Sequence, residues 1–207
     1  MIIAVVGAGG KTTHIHELEE KYRNRGKRVL ITTTTHMMQE AGCVLSEDAE
    51  AIRRQLGENG TCMAGNAAED GKIGAFSADF FAKIRQEADI VLVEADGSKR
   101  LPVKAPAEHE PVIPNGCDRI DVVMGLSAIG KRLKDAAHRK ERVMELTGLS
   151  EEHILTAGDL RDIIMKGYVM PLREKYPECE VRIYPGQVRT LYEQVIAEIL
   201  KKEDIDG

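Results

Sequence analysis

The sequence lacks an excess of basic residues: 29 Lys and Arg stand against 34 Asp and Glu, for a net charge of −5. Proteins that bind nucleic acid or membrane surfaces through charge need an excess of Lys and Arg, because both partners are polyanionic. The charge balance therefore argues against both classes. The 43% hydrophobic and 30% charged residues are typical of a globular protein, and 207 residues suffice for one sizeable core.

Long apolar runs and paired cysteines are also missing. The run from Ile2 to Val6 is far too short to span a bilayer, and no later run is longer. No basic segment precedes this run and no small-residue cleavage site follows it, so we expect no signal peptide. The four cysteines form no CxxC pair, which favours reduced, buried thiols and a cytoplasmic protein. They are Cys43, Cys62, Cys117 and Cys179.

Short continuous apolar runs alternate with segments of helical period. β-Branched runs of this kind are typical of strands buried on both faces of a parallel sheet. The alternation predicts an α/β fold, a three-layer P-loop NTPase-like domain with a mostly parallel sheet. The predicted strands are 2–6, 29–31, 90–93, 122–124 and 181–184. The predicted helices carry the apolar sets Ile15, Leu18 and Tyr22; Ala49, Ile52 and Leu56; Phe80, Phe81 and Ile84; and Val188, Leu191, Val195 and Ile199.

We predict a single domain over residues 1–207, with three segments that depart from this alternation. Residues 57–76 are rich in glycine and small residues, which predicts a short hairpin at the sheet edge. Residues 96–117 carry four prolines among charged residues, which predicts an extended, ordered loop. Residues 136–175 have helical character throughout, which indicates a small helical insert near the C-terminus.

A glycine-rich motif, GAGGKTT, follows the first strand directly and leads into the first helix. The start of a helix offers unpaired N–H groups and a partial positive charge, and glycines let the preceding loop wrap a phosphate. The lysine is expected to reach the β- and γ-phosphates, and the first threonine to ligate Mg²⁺. The predicted nucleotide-binding residues are Gly7, Ala8, Gly9, Gly10, Lys11, Thr12 and Thr13.

The spacing of this motif is shorter than the usual GxxxxGK[ST], because position 5 is Val5 rather than glycine. It resembles the shortened loop of Mur-type peptide ligases and their folylpolyglutamate relatives, which bind ATP. A dinucleotide-binding GxGxxG motif fits less well, since it requires glycine at position 12, which is Thr12. The motif therefore favours a nucleoside triphosphate.

Two acids and a threonine run follow neighbouring predicted strands. Glu94 and Asp96 end the strand 90–93, where one is expected to hold Mg²⁺ and the other to orient water. Thr34 and Thr35 follow the second strand, and two interpretations stay open for this run: nucleotide contact, or capping of the next helix. For His36 we favour the capping turn over a position near the γ-phosphate.

Basic residues follow the acids in the proline-rich segment. Lys99 and Arg100 are predicted catalytic residues that stabilise transition-state charge, with Lys104 as part of the same clamp. The alternative interpretation is an exposed, solvated charged loop. The triplet 108–110 (Glu-His-Glu) has the composition of a metal site, but its single histidine has no matching partner, so we predict no metal there.

These motifs resemble the YqeC-type accessory proteins of selenium-dependent molybdenum hydroxylases. The resemblance covers residue 1 to about residue 165 and is looser beyond. It implies a P-loop protein that assists maturation of these hydroxylases or their molybdenum cofactor, with an apo-hydroxylase as partner. The strings that carry it are GAGGKTT, ITTTTHM, VEADGSKRLPVKAPAEHEPVIP and VVMGLSAIGKRL.

Three functions are consistent with the motifs. The preferred one is an Mg²⁺-dependent NTPase; the others are a small-molecule phosphotransferase or ATP-dependent ligase, and a non-catalytic nucleotide-sensing chaperone. No Asn-Lys-x-Asp motif follows the last predicted strand, so ATP, GTP and CTP all stay open. The sequence also leaves the oligomeric state open.

Overall fold

Strands and helices alternate along the chain in the computed structural model, which describes residues 1–97, 99 and 101–203. The strands are β1 (Ile2–Gly7), β2 (Val29–Thr33), β3 (His36–Met38), β4 (Thr61–Met63), β5 (Asn66–Ala68), β6 (Lys72–Gly74), β7 (Ile90–Glu94), β8 (Val103–Lys104), β9 (Arg119–Gly125), β10 (Ala137–His138) and β11 (Glu180–Gly186). The helices are α1 (Lys11–Arg23), α2 (Ala49–Asn59), α3 (Ala78–Ile84), α4 (Leu133–Ala136), α5 (Lys140–Thr147), α6 (Ala157–Ile164), α7 (Met170–Lys175) and α8 (Leu191–Glu203). A 3₁₀ turn at Leu126–Ala128 and a π-helix at Met165–Val169 are also present.

A six-stranded sheet in the order β11-β9-β1-β7-β2-β4 forms the centre of the fold. Strand β7 pairs in parallel with β1 and β2, β2 pairs in parallel with β4, and β9 pairs in parallel with β11. Every residue of β1, β2, β7 and β9 is buried, as expected for continuous apolar strands. The predicted α/β class, with a mostly parallel sheet flanked by helices, is confirmed.

The described residues divide into two compact units, each built from three segments of the chain. The first unit comprises Met1–Val5, Thr12–Gly97 and Val112–Asp118. The second unit comprises the described residues within Val6–Lys11, Ser98–Pro111 and Arg119–Gly207.

The helices of the first unit begin and end at residues suited to those positions. Asp48 caps α2 by accepting the N–H groups of Glu50 and Ala51, and the helix ends at Gly60 in the left-handed conformation. Ser77 caps α3 in the same way. The apolar face predicted for α1 is confirmed, and so is that of α2 except at Ala49, which is only half-buried. The buried residues of these two faces are Ile15, Leu18, Tyr22, Ile52 and Leu56.

The glycine-rich stretch 57–76 contains more structure than a hairpin. Strands β5 and β6 form the predicted hairpin and continue antiparallel to β3 in a small three-stranded sheet. The same stretch also contributes β4, the terminal strand of the central sheet, which was not predicted. Its sequence, Thr61-Cys62-Met63, is too short to stand out as an apolar run. Strand β3 follows the threonine run, so the interpretation of that run and His36 as a helix cap is wrong.

The second unit contains the whole segment 136–175 that was predicted to be helical. Helices α5, α6 and α7 and the π-helix lie within 136–175, interrupted by β10 and by residues 148–156. Helix α6 begins with a capping box in which Thr156 and Asp159 satisfy each other's backbone N–H groups. The final helix α8 begins at 191 rather than 188, because the Glu193 carboxylate accepts the N–H groups of Arg189 and Thr190 ahead of the first turn.

The proline-rich segment forms an extended path, as predicted. Its strand β8 pairs in parallel with β10. Across the described part of the chain, no helix is long and apolar enough to cross a membrane.

Candidate functional site

The glycine motif forms the turn between β1 and α1. Gly7 ends the strand, Lys11 begins the helix, and three glycines have positive φ angles: 90° at Gly7, 77° at Gly9 and 128° at Gly10. Glycine adopts this region without the strain that a side chain would impose. Lys11 is 5% exposed. The backbone therefore makes the tight turn that a phosphate-wrapping loop requires.

Within the second unit, this turn contacts the carboxyl ends of two strands. The Ala8 N–H donates to the Val123 carbonyl of β9 at 3.0 Å. A Cβ atom at Gly7 would lie 2.2 Å from that same carbonyl oxygen, and one at Gly9 would lie 2.4 Å from the Gly125 Cα. On β11, a Cβ at Gly186 would lie 2.4 Å from the Gly9 carbonyl oxygen. The glycines are therefore needed for backbone packing as well as for loop conformation.

Gln187 and Ser127 border the same turn, and sequence reasoning missed both. The Ser127 hydroxyl donates to Gln187 Oε1 at 2.5 Å, and Gln187 has a φ of 56°. The main chain of Gly186 and Gln187 lies 3.5–3.7 Å from where a Cβ of Gly10 would be. The sequence does contain one signal for these contacts, because β9 and β11 each end in a glycine. A glycine at the end of a strand often marks a place where another backbone segment approaches closely.

The two acids predicted to act on the metal and water lie at and just after the end of β7 in the first unit. Glu94 is 8% exposed and Asp96 is fully buried, and both have polar partners. The Thr33 hydroxyl and the Thr34 N–H both donate to the Glu94 carbonyl, at 2.7 and 3.1 Å. These bonds fix the backbone that carries the first acid.

The threonine run makes mostly internal bonds within the first unit. The Thr34 hydroxyl donates to the Val112 carbonyl at 2.7 Å, and the Thr35 N–H donates to Thr33 Oγ1 at 3.0 Å. Thr32 is 1% exposed, and its hydroxyl has no hydrogen-bond partner within the described chain. The threonine run therefore stabilises a turn beside β7. Nucleotide contact by Thr34 and Thr35 stays a prediction.

Residues that suit Mg²⁺ are present in the first unit. Thr12 is exposed in the first turn of α1, Glu94 ends β7, and Asp96 follows two residues later. Hydroxyl and carboxylate oxygens are ligands that Mg²⁺ prefers. The described residues contain no cluster of three or more His, Cys, Asp and Glu side chains placed to hold a metal. The donor set fits an ion that completes its shell with phosphate oxygens and water, as Mg²⁺ commonly does.

The proline-rich segment of the second unit contains an ion-pair network. Lys104 has a fully buried side chain, and its Nζ lies 2.7 Å from Glu110 Oε2. Arg139 donates to the same carboxylate at 2.6 and 3.2 Å. The interpretation of this segment as a solvated charged loop is therefore wrong at Lys104, which lies in a buried ion pair. Lys99 is exposed with a φ of 48°, and Arg100 lies outside the described residues.

Charges in this network shift two pKa values. Burial acts to raise the pKa of Glu110, but hydrogen bonds from Arg139 and Lys104 outweigh it and lower the pKa from 4.5 to about 2. Burial, followed by the positive charges of Arg139, Lys104 and Lys99, lowers the pKa of His138. The second unit therefore carries a net positive cluster around Glu110.

The fold and the glycine turn define an α/β protein with a strand–glycine loop–helix motif. The YqeC protein family matches residues 3–141, about two thirds of the chain, so the chain belongs to this family. It is 36% identical over 167 residues to YqeC of Escherichia coli (strain K12), a match that covers 77% of this chain and 65% of that protein. The resemblance found in the sequence is thereby confirmed.

A solved structure, the MinC:MinD cell division protein complex of Aquifex aeolicus, is also similar to the chain. The match has a TM-score of 0.34 and 10% identity, and it covers 98% of this chain and 89% of that one. This likeness is too weak to support any conclusion about function.

We predict that Gly9→Ala destabilises the protein by about 3 kcal/mol or more, because a backbone atom only 2.4 Å away must move. The matched control is Gly71→Ala, where φ is also positive but no atom lies within 4 Å. That variant should lose only about 1 kcal/mol, from left-handed strain alone. Urea unfolding followed by circular dichroism measures both, and equal losses would contradict the packing role.

We also predict a pH-dependent contribution from Glu110. Because its pKa is lower in the folded protein, the stabilisation is present above about pH 4.5 and is lost as the pH falls towards 2. The stability difference between wild type and Glu110→Gln should therefore be greatest near neutral pH and shrink on acidification. Urea unfolding between pH 3 and pH 7 tests this. The exposed Glu108→Gln should differ little from wild type at any pH, and a constant deficit for Glu110→Gln would refute the linkage.

Proposed function

We propose that the chain binds a nucleoside triphosphate with Mg²⁺ and cleaves it as part of an accessory function. The observation that supports this most directly is the turn from β1 to α1, with its left-handed glycines and Lys11 at the start of a 13-residue helix. Backbone N–H groups at such a helix start attract phosphate oxygens. The nucleotide-binding residues in this proposal are Gly7, Ala8, Gly9, Gly10, Lys11, Thr12, Thr13, Thr34 and Thr35.

The reaction in this proposal is hydrolysis of the terminal phosphoanhydride. A water oxygen forms a bond to the γ-phosphorus while the bond from that phosphorus to the bridging oxygen breaks, which yields the diphosphate and inorganic phosphate. Lys11 neutralises charge on the β- and γ-phosphates. One carboxylate of the Glu94–Asp96 pair orients the water, and the other holds the metal together with Thr12.

The metal and the proline-rich segment supply the remaining charge. Mg²⁺, which Thr12 and the Glu94–Asp96 pair would hold, would supply positive charge to neutralise the phosphates. Lys99, exposed on the segment that follows the acids, and Arg100 are assigned to the same task. No Asn-Lys-x-Asp motif follows the last strand to favour guanine, so ATP, GTP and CTP are equal candidates.

The biological setting in this proposal rests on the family. We assign the protein to the maturation of selenium-dependent molybdenum hydroxylases or their cofactor, in the cytoplasm, with an apo-hydroxylase as partner. Slow turnover in the absence of that partner is expected, because such proteins couple hydrolysis to a partner's state.

We expect Lys11→Ala to weaken binding of the preferred nucleotide by on the order of 100-fold, because a charge-assisted contact to two phosphates is lost. The matched control is Lys21→Ala, which removes an exposed lysine from the last turn of the same helix. Isothermal titration with the Mg²⁺ complexes of ATP, GTP and CTP measures both. Thermal unfolding of each variant shows whether the fold is intact.

Saturable binding of one nucleotide by wild type and by Lys21→Ala, but not by Lys11→Ala, would support the site and identify the base. If folded wild-type protein binds none of the three nucleotides, the proposal fails.

Turnover should depend on the acids more than binding does. We predict that Glu94→Gln and Asp96→Asn each slow phosphate release by on the order of 100-fold, since each removes a charge from metal or water positioning. Glu58→Gln, an exposed acid near the end of α2, is the control and should keep the wild-type rate. A phosphate-release assay at saturating nucleotide tests this. Unchanged turnover in both acid variants, with binding intact, would favour the nucleotide-sensing chaperone instead.

A further inference from the structure

A cavity of about 230 Å³ lies in the second unit, between the proline-rich segment and the helices that follow. Pro106, Ala107 and Pro111 form one side, while α5, the π-helix and α7 form the other. Its volume holds a ligand of roughly a dozen non-hydrogen atoms, somewhat below the usual range for small-molecule pockets. None of the predicted nucleotide-binding residues lines it.

More basic than acidic side chains line this cavity. Arg142, Lys166 and Lys175 line it, against Glu108 and Glu110. The charge of Glu110 is already balanced, because its carboxylate accepts hydrogen bonds from two buried or half-buried cations of the network described above. The cavity therefore has a net positive charge.

A ligand can bind these cations with little loss of free energy from existing ion pairs. Among the described residues, Arg142 and Lys166 form ion pairs only with exposed acids one turn away, at 2.8 and 3.1 Å. Exposed pairs of this kind contribute only about 0–1 kcal/mol. Lys175 lies 5.3 Å from the Tyr176 ring centroid, and no described carboxylate is within ion-pair distance of it. An anionic ligand can therefore displace the weakly bound acids from Arg142 and Lys166. It can also bind Lys175, which has no acidic partner among the described residues.

The remaining walls of the cavity are apolar. Leu146, Pro171, Leu172 and the Tyr176 ring line it together with the prolines of the facing segment. Such walls favour a ligand with an apolar body and one charged group, because burial of the body adds to the charge contact.

The backbone at the cavity is irregular where it meets the proline-rich segment. Gly167 lies in the π-helix and lines the cavity, and a Cβ atom there would lie 3.4 Å from Pro106 Cδ. π-Helical turns occur frequently at functional sites. The absence of a side chain at Gly167 keeps space open beside Pro106.

We propose that this cavity is a second ligand site, for a small organic anion with an apolar body and a carboxylate or phosphate group. Lys175, Arg142 and Lys166 contact the anionic group, and Leu146, Leu172 and Tyr176 contact the body. If the nucleotide function holds, a ligand here is a candidate acceptor or regulator. The site itself does not depend on that function.

The test uses the full chain, labelled with ¹⁵N, and follows amide shifts during titration with benzoate, phenyl phosphate and, as a charge control, benzylammonium. We expect saturable shifts at Leu146, Lys166, Gly167 and Tyr176 with the anions, with dissociation constants of about 1 mM or lower for fragments of this size. The anion that binds more tightly distinguishes a carboxylate from a phosphate ligand.

Charge reversal by Lys175→Glu should weaken binding of the better anion at least about tenfold, since attraction becomes repulsion. The control Lys131→Glu reverses an exposed lysine of the same unit that does not line the cavity, and it should bind as wild type does. The variant Lys11→Ala should also retain anion binding, so failure of the nucleotide proposal and failure of this one give different results.

Three results would overturn the inference: no saturable shift at the cavity residues, equal binding of benzylammonium, or unchanged affinity in folded Lys175→Glu. Shifts from phenyl phosphate confined to Gly9 and Gly10 would also overturn it, because they would place the anion at the glycine turn.

Discussion

In the second unit, the main chain of the glycine turn packs directly against the ends of β9 and β11. Gly9 faces Gly125 on one strand and Gly186 on the other, with no space for a Cβ atom on any of the three. Van der Waals contact between bare backbones fixes the turn without help from side chains. The conformation of the loop therefore depends on Gly125 and Gly186 as much as on its own sequence. The same contact fixes the position of Lys11, the first residue of α1.

Electrostatics has a comparable structural role in the proline-rich segment. Proline removes backbone donors and restricts the chain, so this segment needs a side-chain attachment beyond the pairing of β8 with β10. Glu110 supplies it by joining Lys104, six residues away, to Arg139, which lies 29 residues further along the chain. A carboxylate between two cations in a largely buried setting holds its charge over nearly the whole pH range, as its pKa of about 2 indicates. The segment that follows the acids is thus anchored by this buried ion-pair network as well as by the burial of its apolar residues Val103 and Ala105.

Much of this fold was predictable from the sequence, because continuous β-branched runs and helical periodicity usually follow burial. The strands 90–93 and 181–184 were found at or near their observed bounds for that reason. The apolar face predicted for the last helix was wrong, since Val195 and Ile199 are exposed and Ile196 is buried instead. Strand β4 was missed because three residues give no periodic signal, and its place depends on pairing with β2. The glycine motif was recognisable from its letters. The partners Ser127 and Gln187 were not, since their contact joins positions 60 residues apart. Lys104 was interpreted as a possible surface charge, because the sequence around it does not show that it is buried in an ion pair with Glu110.

The division of the chain into units has a consequence for how the protein can be made and dissected. Each unit is assembled from three separate stretches, and the boundary between Lys11 and Thr12 passes through the glycine motif itself. No single truncation can release either unit intact, so fragment expression and limited proteolysis are unsuited to isolating them. During synthesis the stretches of the first unit have all emerged by residue 118, whereas Val6–Lys11 must wait for Arg119 and beyond before its own partners exist. Because synthesis proceeds from the N-terminus, the backbone of the glycine turn is among the last parts of the chain to form its native contacts.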